Sequence, residues 1–151
     1  MNKNKEIRAA RELSDGFALA EGRRPRIMLA GLINDEKSGA LLSLSTRLAD
    51  LGFDVDLGPP SGSLEVVLQQ ATENDVHLIG LLFPEVGLLG TRALLGQLGS
   101  VAGEIPIILF HPHPEVFTGD HYLTNIAPVF SPKQDPPELV KSLLGIILEN
   151  V

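Results

Sequence analysis

The residues of this chain best equipped for chemistry are its histidines and one acidic turn. His111, His113 and His121 crowd a proline-rich stretch that begins His111-Pro112-His113-Pro114. Asp35 and Glu36 lie in a short polar turn that follows an apolar run, Ile27 to Ile33. Three imidazoles and a carboxylate such as Glu36 are a donor set that zinc or another divalent ion could use. The prolines limit how freely those rings converge, so the simpler expectation is a rigid surface turn with solvated imidazoles and no metal. His77 sits in an apolar segment and reads as a satisfied buried or edge histidine. Asp35 and Glu36 read as a solvated helix start, where the helix dipole favours negative charge. The glycines Gly31, Gly39, Gly87 and Gly90 form neither a Gly-x-Gly-x-x-Gly pattern nor a phosphate loop, and no Gly-x-Ser-x-Gly elbow is present. With no cysteine in the chain, disulfides and thiolate metal sites are excluded.

The elements that must position these residues follow from the apolar pattern. Ile27 to Ile33 is a continuous apolar run, as expected of a strand buried on both faces of a parallel sheet. A helix is expected over Lys37–Leu51, where Leu41, Leu44, Leu48 and Leu51 recur at helical spacing before Gly52. Phe53–Leu57 alternates apolar and acidic, as a short strand near a sheet edge does. Ser61 or Ser63 is the expected N-cap of a helix over Leu64–Glu73. Val76–Phe83 reads as the central strand, Ile105–Phe110 as the fourth and Ala127–Phe130 as the fifth. Leu88–Val101 is leucine-rich but carries Gly90, Gly96 and Gly99, which weaken a helix. Pro136 suits the first turn of a last helix reaching Glu149. An opening helix is expected over Lys5–Glu21, ended by Gly22, with Pro25 keeping the next residues extended. The alternation βαβαβαβαβ predicts a flavodoxin-like, Rossmann-like doubly wound sheet of five parallel strands in the order 2-1-3-4-5, with the opening helix packed outside. Residues 1–24 form the N-terminal helix and linker, and residues 25–151 the α/β domain.

Composition narrows the function. At 151 residues the chain has the length of one domain. A formal charge of −7 argues against nucleic acid and anionic membranes as partners. No apolar run approaches the roughly 18 residues of a membrane span, and the Lys- and Glu-rich start has no secretory pattern. A cytoplasmic protein is the expectation.

Arg23-Arg24-Pro25-Arg26-Ile27 with its apolar strand, then Leu51-Gly52-Phe53-Asp54-Val55-Asp56-Leu57-Gly58-Pro59, Asp75-Val76-His77-Leu78-Ile79-Gly80 and Glu104-Ile105-Pro106-Ile107-Ile108-Leu109, occur in this order. Together they resemble the cobalamin-binding domain of methylmalonyl-CoA mutase, from Ala18 onward. In that family the loop after the first strand carries Asp-x-His-x-x-Gly; its His ligates cobalt, and its Asp orients the imidazole through a hydrogen bond. The matching residues here are Asn34-Asp35-Glu36-Lys37-Ser38-Gly39, with Asn34 for the Asp and Glu36 for the His. Gly39 alone is kept, in a loop one residue shorter. A carboxylate is a poor substitute for imidazole on cobalt, and no histidine precedes His77. The resemblance also places the cofactor's nucleotide tail beside small residues ending the third strand, Gly-Gly ending the fourth and Gly-Pro-Gly after the fifth. Here those places hold Leu82-Phe83-Pro84, Phe110-His111 and Ser131-Pro132-Lys133.

The positions that match the family's cobalamin site are therefore Asn34, Glu36, Gly39, Phe83, His111 and Ser131. The expectation is a degenerate cobalamin-binding-like domain, not catalytic alone, that holds no cofactor and serves assembly or regulation. The alternative is a cobalamin or corrinoid subunit that presents the cofactor to a separate acyl-CoA mutase barrel, an isomerase. The end of the chain also resembles the last strand and helix of receiver domains, but Leu82-Phe83-Pro84 offers no Asp to accept a phosphoryl group. Leu88, Leu89, Leu94, Leu95, Leu98 and Val101 exceed one buried helical stripe, so that face is expected either to be covered by the opening helix Lys5–Glu21 within the monomer or to contact a second chain, a copy of itself or a mutase subunit.

Overall fold

A computed structural model of the chain describes residues 3–31, 39–59, 64–82, 104–117 and 127–150. The elements are α1 (Lys3–Glu21), β1 (Arg26–Gly31), α2 (Ala40–Asp50), β2 (Asp54–Leu57), α3 (Leu64–Glu73), β3 (Leu78–Leu82), β4 (Ile107–Phe110), a 3-10 turn (Pro114–Phe117), β5 (Val129–Phe130) and α4 (Pro136–Glu149). The five strands are all parallel, in the order β2-β1-β3-β4-β5. This is the doubly wound sheet expected from the apolar runs.

Successive side chains of the strands alternate between two cores, as the pleat requires. Ile27, Leu29, Leu78, Leu82, Ile108 and Phe110 pack with α1, α2 and α4. Met28, Ala30, Ile79, Leu81 and Leu109 face the other way, onto Val67 and Ala71 of α3. Such double burial explains why β1 and β3 are uninterrupted apolar runs. At Gly80 a Cβ would lie 2.9 Å from Leu29 Cδ2 and 3.0 Å from Phe110 Cε2, so the glycine leaves room for the phenylalanine ring.

Most element starts shift by one to three residues from expectation, and at α2 and β3 the backbone shows a local reason. α2 begins at Ala40, not Lys37, because its N-cap residue Gly39 takes a left-handed φ of 65°, outside the helical region, with no side-chain cap. The first turn of α2 holds no acidic residue, and Asp35 and Glu36 lie outside the described residues. β3 begins at Leu78, because Asp75 has φ 53° and the Val76 N–H is drawn back to the Ala71 carbonyl at 3.2 Å. The boundaries of α3 and α4 are as expected. At α4, the Asp135 carboxylate accepts the Glu138 N–H at 3.3 Å, with Pro136 in the first turn. Leu32, Ile33, Ser61, Ser63 and Leu88–Val101 lie outside the described residues.

α1 packs against α4 and buries Ala10, Ser14 and Phe17 in the same core as the sheet. It is also tied to the end of α2. Arg11 Nη1, Ser14 Oγ and Arg24 Nη1 donate to the carbonyls of Asp50, Leu51 and Gly52 at 3.2, 2.7 and 3.1 Å. The Asp50 carbonyl belongs to the last turn of α2, which leaves it without an intrahelical partner, and those of Leu51 and Gly52 follow directly after it. Gly52, at φ 98°, brings the chain so close that a Cβ there would stand 2.6 Å from Ser14 Cβ. Among the described residues, no helix is long and apolar enough to cross a membrane.

Candidate functional site

In doubly wound folds ligands bind beyond the carboxyl ends of the strands, where strand order reverses, here between β1 and β3. Of the sequence-derived positions, Gly39, His111 and Ser131 are described on this rim, while Asn34, Glu36 and Phe83 lie outside the described residues. Gly39 needs its side chain absent for backbone reasons. Its φ of 65° is one that L residues rarely adopt, and nothing lies within 4 Å of a Cβ placed there.

The fourth-strand position is filled with side chains. Phe110 is fully buried and lies 6.5 Å from the Phe130 ring, centroid to centroid. His111 is 4% exposed, so the expectation of solvated imidazoles on this turn fails for it. The reason is that the chain continues the sheet past β4: the His111 N–H donates to the Phe130 carbonyl at 3.0 Å, which draws the residue inward. Its Nδ1 accepts the His113 N–H at 2.9 Å. His113 remains exposed, with Nδ1 3.4 Å from Glu115 Oε1. Ser131 also turns to its own loop, where its Oγ accepts the Lys133 N–H at 3.1 Å and its carbonyl accepts the Gln134 N–H at 3.2 Å. The Gln134 carbonyl in turn accepts from Arg47 Nη2 at 2.7 Å, which ties this loop to α2.

Among the described residues, no three His, Asp or Glu side chains come together as a metal site. His121 and Glu36, the other members of the donor set considered, lie outside them. His111 and His113 have ring centroids 6.3 Å apart, and the hydrogen bond to His113 occupies Nδ1 of His111.

The opposite rim carries the polar network that sequence reading left unassigned. Arg26 makes a two-pronged ion pair with Asp56, Nε to Oδ2 at 2.8 Å and Nη2 to Oδ1 at 3.0 Å, across β1 and β2. His77 is satisfied, as expected. Its Nδ1 accepts the Arg26 N–H at 3.0 Å, and its ring meets Phe17 edge-on at 5.4 Å. Burial, and then the nearby Arg23 charge, hold its pKa below the ordinary histidine value, while Asp75 and Glu21 act the other way. Ser14 was also missed. It occupies the stripe Ile7, Ala10, Ser14 and Phe17 at helical spacing, and that pattern was the signal for its burial.

No family model matches the chain. Individual proteins do. The chain is 47% identical over 76 residues to the methylmalonyl-CoA mutase large subunit of Propionibacterium freudenreichii subsp. shermanii, covering 50% of this chain and 10% of that protein. It is 40% identical over 116 residues to the probable methylmalonyl-CoA mutase large subunit of Mycobacterium tuberculosis, covering 70% of this chain and 16% of that protein. It is 32% identical over 152 residues to the methylmalonyl-CoA mutase large subunit of Porphyromonas gingivalis, covering 97% of this chain and 21% of that protein. The chain thus spans between 10% and 21% of the length of these relatives. With a five-stranded parallel sheet in the order expected and these matches, the chain is a relative of methylmalonyl-CoA mutase large subunits, similar to one segment of those longer proteins.

Proposed function

We propose that this chain is a non-catalytic, degenerate relative of the cobalamin-binding domain of methylmalonyl-CoA mutase, serving assembly or regulation beside a mutase catalytic subunit. The observation that carries this reading is the side chain at the end of β4. Phe110 is fully buried, and its ring edge closes on Gly80 where the family pattern has Gly-Gly and a close backbone approach. His111 beside it is buried and bonded within its own turn. Ser131 faces its own loop. The residues at these positions do not fit a corrinoid tail. Asn34 and Glu36, in place of the family's Asp and His, supply no imidazole to cobalt.

A second reading has support of its own: identity of 40% over 70% of the chain to a mutase large subunit, and a Gly39 that keeps the motif's last position with a left-handed backbone. On that reading the chain would carry a corrinoid to a separate acyl-CoA mutase barrel. One experiment separates the two. The protein is mixed with hydroxocobalamin or adenosylcobalamin, passed through gel filtration, and its visible spectrum recorded. The expected result is no protein-bound corrinoid and no His-on, base-off shift. A shifted spectrum that co-elutes with the protein overturns the proposal in favour of the second reading.

A further inference from the structure

Among the described residues the outer edge of β2 is open, and its chemistry selects what can pair with it. β2 is the terminal strand of the sheet, bonded to β1 alone among the described residues. The Asp54 N–H donates to the Pro25 carbonyl and the Gly58 N–H to the Leu29 carbonyl, at 2.9 and 2.7 Å. Backbone direction alternates along a strand, so Asp54, Asp56 and Gly58 address β1, while Val55 and Leu57 present their N–H and C=O groups outward. An open groove of about 590 Å³ runs along this edge, with Ser45, Ala49 and Asp50 of α2 on one side and Asp54, Val55 and Asp56 on the other.

We propose that this edge takes an extended basic segment of a partner protein by strand addition, with alternate apolar and Lys or Arg side chains. The alternation follows from the two faces of β2. Val55 is half-buried against the α2-side core and Leu57 is 50% exposed, so they offer an apolar stripe at every second position. Asp54 is exposed on the other face, and Asp50 stands at the rim of the groove. Asp56 is already paired with Arg26, so the charge of that pair is offset within the fold. A second copy of this chain is a poor occupant. It would bring the same aspartates to the same edge, within a chain of formal charge −7, and like charges opposed across strands destabilise the pairing. Backbone hydrogen bonds supply the affinity in this mode, and the alternating side chains supply the selection. The proposal gives the assembly role proposed above a surface and a partner chemistry. The corrinoid spectrum and the peptide titration have separate readouts, so either can fail alone.

The test is fluorescence anisotropy of a labelled hexapeptide of alternating Lys and Val, titrated with the full chain at low salt. The Val55→Pro variant removes an outward N–H that the sheet does not use, as prolines on edge strands do. The expected results are saturable binding by the wild type, an affinity loss of about tenfold or more in Val55→Pro, and a comparable loss in the exposed Asp54→Lys variant. A peptide of the same sequence with N-methyl groups on alternate residues keeps its charges but not its ladder, and is expected to bind about tenfold more weakly to the unaltered protein. No binding by the wild type overturns the proposal. Equal binding of the N-methylated peptide overturns it too, since charge alone would then suffice. Light scattering that finds a wild-type dimer made monomeric by Val55→Pro replaces the basic segment with a second copy.

Discussion

Phe110→Ala tests whether the end of β4 is core or the floor of a ligand slot. Phe110 is fully buried among residues that include Leu139, Val140 and Leu143 of α4. Truncating a phenylalanine in such a place costs about 3–5 kcal/mol, from lost burial and from the cavity left behind. With a urea m-value of about 2 kcal/mol per molar, the unfolding midpoint falls by roughly 2 M. A domain in the middle or upper part of the usual range of about 5–15 kcal/mol survives this. The sharper readout is coupling to Gly80. A Cβ there meets Leu29 Cδ2 at 2.9 Å, Phe110 Cε2 at 3.0 Å and Ile27 Cδ1 at 3.2 Å, so Gly80→Ala in the wild type costs about 1–3 kcal/mol by overpacking. With Phe110 truncated, the ring edge is gone and the new methyl enters the vacated space. The expected cycle, by urea unfolding of the four proteins, shows a favourable interaction of about 1–2 kcal/mol. Additive costs, or a Phe110→Ala cost below about 1 kcal/mol, refute the packing argument and with it the filled-slot reading.

Three further outcomes follow from the geometry. His77 has a folded pKa below its ordinary value, so the folded state resists the proton that the unfolded chain accepts; stability is full above about pH 6.5 and declines as pH falls from there toward the folded pKa. His77→Gln, which keeps an acceptor for the Arg26 N–H but does not titrate, is expected to flatten that part of a stability-versus-pH curve measured against the wild type. Gly52→Ala combines a φ of 98° with a Cβ 2.6 Å from Ser14 Cβ; thermal unfolding is expected to show a loss of about 2–4 kcal/mol, with Ser14→Gly restoring part of it. Restoring the motif by Asn34→Asp with Glu36→His is expected to leave cobalamin affinity weaker than micromolar by spectral titration, because Phe110 still fills its place. Micromolar binding, about −8 kcal/mol, would show the slot to be open.

What the sequence made legible was whatever depends on burial over several residues. The runs Ile27–Ala30 and Leu78–Leu82 are buried on both faces, and their unbroken hydrophobicity announced parallel strands and hence the sheet order. The span of α4 was readable, because Pro136 is a start signal with a backbone mechanism; the Asp135 cap beside it was not singled out. Starts without such a signal were misplaced. α2 waits for Gly39 because of one left-handed φ, and β3 waits for Leu78 because of another at Asp75. At the site, sequence recognised His77 as satisfied but read His111 as solvated. The proline turn is a local cue, whereas the bond from His111 to the Phe130 carbonyl comes from a strand distant in sequence. Local pattern does not contain that distance, which is why the turn misled.

The attachment of α1 shapes the order in which the fold can close. Its side chains face two surfaces that are made at very different times. Ser14 needs only the carbonyl of Leu51, 37 residues on, whereas the face against α4 waits for the last described helix. Loop closure grows costlier only slowly with length, but distant contacts still slow a folding reaction when many must form together. A chain emerging from the ribosome can therefore dock α1 on the end of α2 once residue 52 is free, holding Phe17 near the place of β1 while the remaining strands are made. The docking of α4 then becomes the closing step. A pulse-labelled exchange experiment would see the Ser14–Leu51 region protected before α4, and kinetic cooperation between the two ends of the sequence would appear only in that last phase.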